Sequence, residues 1–208
     1  VVLIGTEDEL EGVIAVADEL RPEAKATIDR LHDLGVREIV MLTGDNERTA
    51  RAIATELGVD DYRASLLPEE KVGAIEALDD AYGGVAMVGD GVNDAPALAT
   101  ATVGIAMGAS GTDTALETAD IALMGDDLSR LPYLYELSHA GNGVIRQNVW
   151  ASLAAKGLLA VGVPFGLVPV WAAVLVGDAG MTVAITANAT RLGRIEPAEL
   201  LDGVEGTR

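Results

Sequence analysis

The chain has 208 residues, enough for one soluble domain with a sizeable core and a smaller addition. Its 33 acidic side chains outnumber 14 basic ones, which argues against a nucleic-acid-binding surface, and it has no cysteine, which excludes disulfides, zinc thiolate sites and cysteine nucleophiles within these residues. The charge is unevenly spread: residues 1–147 hold 28 acids and 10 bases, whereas residues 148–195 have only Lys156, Asp178, Arg191 and Arg194. An acid excess with only three lysines predicts a protein adapted to concentrated salt, where hydrated carboxylates keep it soluble. The opening run VVLIG lacks methionine, a basic start and a cleavage pattern, so it reads as a segment of something longer rather than as a signal peptide.

Along the first 130 residues, apolar runs of strand length alternate with amphipathic stretches of helix length, the pattern of an α/β parallel sheet. Strands are predicted at Gly12–Ala17, Glu38–Leu42, Tyr62–Ser65, Val85–Val88, Val103–Ala106 and Ile121–Leu123. Between them, Pro22–Leu34 reads as a helix with proline in its first turn and Gly35 at its stop, and Asn46–Leu57 ends likewise at Gly58. Pro68–Leu78 and Asp94–Ala99 follow the same logic. Ligands of such sheets gather at the carboxyl ends of the strands.

Three polar motifs fall at those ends. Thr43, Gly44, Asp45 and Asn46 open a helix whose free N–H groups suit a phosphate, although Asp45 or Asn46 could simply cap it. Lys71 lies in the first turn of a helix, where the dipole disfavours a cation, and lysine is scarce in this chain. In VAMVGDGVNDAP, residues 85–96, Gly89 and Gly91 allow a tight turn while Asp90 and Asp94 offer hard oxygen ligands of the kind Mg2+ takes. The bland reading of that loop is a polar turn in which Asp94 caps the next helix.

In order and spacing these motifs resemble the haloacid-dehalogenase-like phosphorylation domain of the P-type ATPases, ion pumps that pass through an aspartyl-phosphate. MLTGDNERTARAIATELG, LLPEEKV, MVGDGVNDAPALATATVGIAMG and GTDTALETADIAL follow the family pattern across roughly residues 10–130. The resemblance implies that Thr43 hydrogen-bonds a phosphoryl group with help from the Gly44 amide, and that Lys71 neutralises its oxygens. Asp90 would ligate Mg2+, with Asn93 and Asp94 around metal and phosphate. Asp45, on the same clamp motif, is a poor substitute nucleophile. The family's Asp-Lys-Thr-Gly-Thr nucleophile motif occurs nowhere in this sequence, so the implied Rossmann-type sheet lacks its nucleophile strand, and ATP would be bound mainly by a missing domain.

Residues 131–147 read as a connecting helix, and 148–190 as two transmembrane helices. VIRQNVWASLAAKGLLAVGVPF and VPVWAAVLVGDAGMTVAITANA are each about 20 residues, the length that crosses a hydrocarbon core. A short link at Gly166 and Leu167 makes them a hairpin. Arg146 lies at one end and Arg191 and Arg194 at the other, so the positive-inside rule puts both ends, and the tail 191–208, in the cytoplasm. Lys156 and Asp178 then fall near the bilayer middle, where ionisable groups are expensive and are functional candidates by default; the bland alternative is that they pair with each other. Asn148 followed by seven residues and then Lys156, with Asp178, Ala179 and Gly180 further on, is similar to the last two membrane helices of the zinc, cadmium and lead branch. That similarity implies Asp178 as ligand for a transported divalent heavy-metal ion and Lys156 as its counter-charge.

The expected function is therefore the C-terminal part of an ATP-driven divalent heavy-metal exporter, with lipid, the metal ion and the rest of the same pump as partners. Alternatives are a phosphatase of the same superfamily and a non-catalytic membrane-tethered regulatory fragment. His32 and His139 are expected to be surface or structural residues.

Overall fold

The computed structural model describes residues 2–6, 10–14, 20–91, 93–108, 117–125 and 127–195. Strands β1 (Val2–Gly5) and β2 (Leu10–Ile14) form an antiparallel hairpin, so the strand expected at Gly12–Ala17 begins earlier, and its last three positions lie outside the described residues. Most of GTDTALETADIAL before Glu117 and the tail beyond Ile195 also lie outside them.

From Ala24 on, helices and short strands alternate. Helix α1 (Ala24–Asp33) precedes β3 (Val40–Leu42), and α2 (Glu47–Leu57) precedes β4 (Asp61–Arg63). Asn46, rather than Asp45, caps α2: its side-chain Oδ1 accepts the Thr49 N–H at 3.1 Å, and Gly58 at φ 77° ends the helix. Helix α3 (Pro68–Tyr82) starts on proline and runs four residues beyond the expected Leu78, ending at Gly83 with φ 74°. Next come β5 (Ala86–Gly89), α4 (Ala95–Thr100), β6 (Val103–Met107) and β7 (Ile121–Leu123).

The core joins these elements through Ile75, Met87, Ala97 and Leu98, with Leu42, Val72, Val85 and Ala101 packed against them. Gly104 on β6 is required by that packing, because a Cβ there would lie 2.6 Å from the Leu98 carbonyl oxygen. The parallel sheet is not continuous. Strand β3 pairs with β4, and β5, β6 and β7 form a separate parallel set. The neighbouring edges of β3 and β5 do not hydrogen-bond to one another, although Leu42 and Met87 share one cluster.

Helix α5 (Arg130–Gly162) is a single 33-residue rod, about 50 Å long at the α-helical rise, and crosses the expected boundary at residues 147 and 148 without interruption. Asp127 accepts the Ser129 amide at 3.0 Å and the Ser129 hydroxyl just ahead of it; the hydroxyl, helped by the amide and Arg130, holds the Asp127 carboxyl below the usual carboxylate range. Near its start, α5 is tied to α1 by an ion pair, Arg30 Nη2 to Glu136 Oε1 at 2.8 Å.

After a turn containing Gly166 at φ 68°, the chain runs back through α6 (Val170–Val174), a π-helical turn (Leu175–Gly180), α7 (Met181–Ala189) and a 3-10 turn (Thr190–Arg194). These make one 25-residue apolar helix with none of its most apolar window buried, the one helix among the described residues long and apolar enough to cross a membrane. The C-terminal half of α5 falls short of that measure because it carries Arg146, Gln147, Asn148 and Lys156, although Trp150, Leu153, Leu158 and Val161 on it are all more than half exposed.

Candidate functional site

Thr43, Gly44 and Asp45 follow β3, and Asp90, Asn93 and Asp94 follow β5, so both motifs stand at the carboxyl ends of parallel strands. The Thr43 turn is held locally. The Asp45 amide donates to Thr43 Oγ1 at 3.0 Å, and the Thr43 hydroxyl donates to Asp45 Oδ2 at 3.1 Å. It is also laced to the loop after β4: Leu66 N–H donates to the Thr43 carbonyl at 3.0 Å and Ser65 N–H to the Asp45 carbonyl at 2.7 Å. Ser65 adopts φ 56°, a left-handed conformation uncommon for a residue other than glycine, in making that bond. The loop then enters α3, whose start is closed by the Glu70 carboxylate accepting the Leu67 N–H at 2.8 Å.

One turn on, Lys71 reaches across to the other motif. Its Nζ donates to Asp94 Oδ1 at 2.5 Å, and the two side chains are only 15% and 17% exposed. Asp94 makes no capping bond to α4, so the polar-turn reading of this carboxylate does not describe it. The lysine sits at an unfavourable helix end because a carboxylate meets it there. Gly89 makes room for that carboxylate, since a Cβ at Gly89 would lie 3.2 Å from Asp94 Oδ2. Gly91 takes φ 74°, the left-handed turn expected of it. Asp90 and Asn93 are exposed beside the pair.

The donor set fits a hard cation only in part. Asp90 and Asp94 supply carboxylate oxygens, but among the described residues no group of three or more acidic, histidine or cysteine side chains could hold a metal alone. Two carboxylates completed by water and phosphate oxygens match the usual demand of Mg2+.

Two predicted site residues lie far from this cluster. Lys156 is on the C-terminal half of α5 and Asp178 in the π-helical turn; both are exposed, and among the described residues they form no ion pair with one another. The expected alternative of a closed Lys156–Asp178 pair is thus not realised. A π-helical turn such as Leu175–Gly180 is the irregularity that often marks a functional position in a helix. Ser65 and Asn188 were not singled out from sequence. No signal in the sequence marks a left-handed serine, and Asn188 owes its interest to a neighbour 40 positions away. His32 is structural as expected, its Nε2 lying 2.8 Å from Asp60 Oδ2.

The haloacid dehalogenase-like hydrolase family matches residues 1–102. A probable cadmium-transporting ATPase of Alkalihalophilus pseudofirmus is 50% identical over 194 residues, which is 93% of this chain and 27% of that protein. A manganese-exporting P-type ATPase of Mycobacterium bovis is 48% identical, over 92% of this chain and 27% of its own length. The crystal structure of a zinc-transporting PIB-type ATPase in its E2.Pi state superposes with a TM-score of 0.80 at 49% identity, covering 92% of this chain and 31% of that one. The chain therefore spans about a quarter of the length of the curated relatives it matches.

Proposed function

We infer that this chain, a homologue of the heavy-metal-transporting P-type ATPases over 93% of its length, supplies such a pump with part of its phosphorylation domain and with its last two membrane helices. The observation that carries the reading is the Lys71–Asp94 contact between two motifs at parallel strand ends, on the same chain as an exposed apolar helical hairpin. Phosphoryl transfer needs positioning and charge stabilisation more than covalent chemistry from the protein. The Thr43 hydroxyl and Gly44 amide would orient the phosphoryl oxygens, and Lys71 would neutralise them. Asp90 and Asp94, with Asn93 alongside, would hold Mg2+, which when bound supplies charge neutralisation between phosphate oxygens. Asp45 orients Thr43 through their reciprocal hydrogen bonds.

The acceptor aspartate is not among these residues; β3 and β5 share one hydrophobic cluster, and among the described residues each pairs with a single neighbour, which suits a further strand carrying it. ATP would be held chiefly by a portion of the protein beyond this chain. The apolar hairpin would cross the bilayer with both ends and the phosphorylation domain in the cytoplasm, in keeping with Arg146, Arg191 and Arg194. Asp178 would ligate the transported divalent ion and Lys156 would compensate its charge when the ion leaves. Relatives named for cadmium and manganese are nearly equally similar, so ion choice is set by details finer than overall identity. In the full-length protein, Asp178→Ala should abolish zinc- or cadmium-stimulated ATP hydrolysis; stimulation that survives the substitution would remove Asp178 from the transport site.

A further inference from the structure

Among the contacts between the two antiparallel helices of the hairpin are a polar cluster and a glycine notch. Asn188 Nδ2 donates to Asn148 Oδ1 at 2.9 Å, with Gln147 Oε1 at 3.5 Å, and Asn188 Oδ1 accepts from Arg191 Nη1 at 2.9 Å. Asn148 and Asn188 are both half-buried on a surface that is otherwise mostly exposed. Towards the other end, a Cβ at Gly177 would lie 3.0 Å from Leu159 Cδ1, so the helices approach closely there.

The spacing of the two contacts is the same on each helix. Eleven residues separate Asn148 from Leu159, and eleven separate Gly177 from Asn188, so both contacts belong to one antiparallel register. Lys156 and Asp178 lie inside that interval, eight residues from Asn148 and ten from Asn188 respectively. At about 1.5 Å per residue they differ in depth by only about 3 Å. A slip of one helical turn would change that offset by about 5 Å. Apolar side chains facing lipid do not oppose such a slip, because they are equally solvated at either register, whereas an amide pair does.

We propose that the Asn148–Asn188–Arg191 cluster is a positioning clamp that, with the Gly177 notch, fixes the relative depth of Lys156 and Asp178 and so sets the affinity of the ion site. This rests on the pump reading for its functional consequence, but the register itself does not. Asn188→Leu keeps a side chain of similar volume and removes the amide. Asn188→Asp keeps the clamp, because a flipped Asn148 amide donates to the carboxylate and Arg191 pairs with it.

The test uses the full-length protein in lipid nanodiscs, with spin labels on encoded reactive residues at the exposed positions Leu158 and Val183. Asn188→Leu is expected to shift or broaden the label distance and to raise the half-activating zinc or cadmium concentration roughly three- to tenfold, with maximal ATPase rate little changed. Asn188→Asp should leave both readings near those of the unchanged protein. An unaltered distance in Asn188→Leu overturns the clamp. A shifted distance with an unmoved half-activating concentration overturns its link to the ion site, and an Asn188→Asp protein that behaves like Asn188→Leu overturns the hydrogen bond as the cause. If the unchanged protein shows no metal-stimulated hydrolysis, the pump reading fails while the label distance still decides the clamp.

Discussion

Lys71 occupies a helix start that repels cations, and Asp94 is what makes the position tolerable. Removing one member of so little-exposed a pair leaves the other without its partner, at a cost of about 1–3 kcal/mol. Lys71→Met should therefore lower the melting temperature, and Asp94→Asn in addition should restore most of the loss. Phosphoenzyme formation in the full-length protein should stay at least about a hundredfold down in both the single and the double variant, because the charge proposed to face the phosphoryl group is gone. Recovery of phosphorylation together with stability would mean that Lys71 is only structural. The motifs made Lys71, Asp90 and Asp94 legible in the sequence, but not their contact, since 23 residues and the packing of α3 against α4 intervene. Asp60 gives a second test at this scale. His32 first, and then the Ile39 amide, hold its carboxyl below the usual carboxylate value of 3.8. A depressed folded value means stability fully present above that pH and lost as pH falls through the folded value. Asp60→Asn should flatten the acid limb of the stability profile below about pH 4, measured by urea unfolding, and leave neutral pH nearly unchanged in slope.

At the scale of elements, composition and periodicity placed every helix of the first 100 residues within a few positions, because proline starts and glycine stops act locally. Strand partners were not legible, since alternation marks a strand without naming its neighbour; among the described residues the expected parallel strands pair as β3–β4 and β5–β6–β7, with β1 and β2 an antiparallel hairpin. The long helix was likewise divided on paper at residue 147, where apolar composition begins, yet backbone hydrogen bonding continues straight through it. Gly141 and Gly143 lie just before that point, and a Cβ at either meets nothing within 4 Å. Gly141→Ala and Gly143→Ala should each stabilise the helix by about 0.5–1 kcal/mol, read by thermal unfolding. By contrast Gly104→Ala, where the Leu98 carbonyl oxygen is 2.6 Å away, should destabilise by about 1–3 kcal/mol. If Gly104→Ala melts no lower than the unchanged protein, the close approach of α4 to β6 is wrong.

For the whole molecule, the question is how the proposed phosphoryl site around Lys71 and Asp94 would speak to the proposed ion site at Asp178. Helix α5 is the candidate connection: Arg30 and Glu136 fasten its start to α1, and the same unbroken helix carries Asn148 and Lys156 about 18 Å and 30 Å further along its axis. A rigid rod transmits rotation, whereas a flexible joint does not. Three glycines inserted after Asn142 should therefore leave phosphorylation of the full-length protein by ATP intact while abolishing its stimulation by zinc or cadmium. The reverse pattern, metal stimulation retained through the flexible joint, would show that the two sites communicate by another route. The catalytic cluster and the membrane residues would each remain where they are in either case, so the experiment isolates the connection. The same logic bears on the chain in isolation. It has Thr43, the lysine and the carboxylates, but no Asp-Lys-Thr-Gly-Thr motif, and among the described residues β3 and β5 are not hydrogen-bonded to one another. Incubated with ATP and magnesium, these 208 residues should acquire no acid-stable, hydroxylamine-sensitive label. A label on Asp45 or Asp90 would overturn the assignment of both as supporting groups, because an aspartate that accepts the phosphoryl group cannot at the same time be the one that orients Thr43 or waits for the metal.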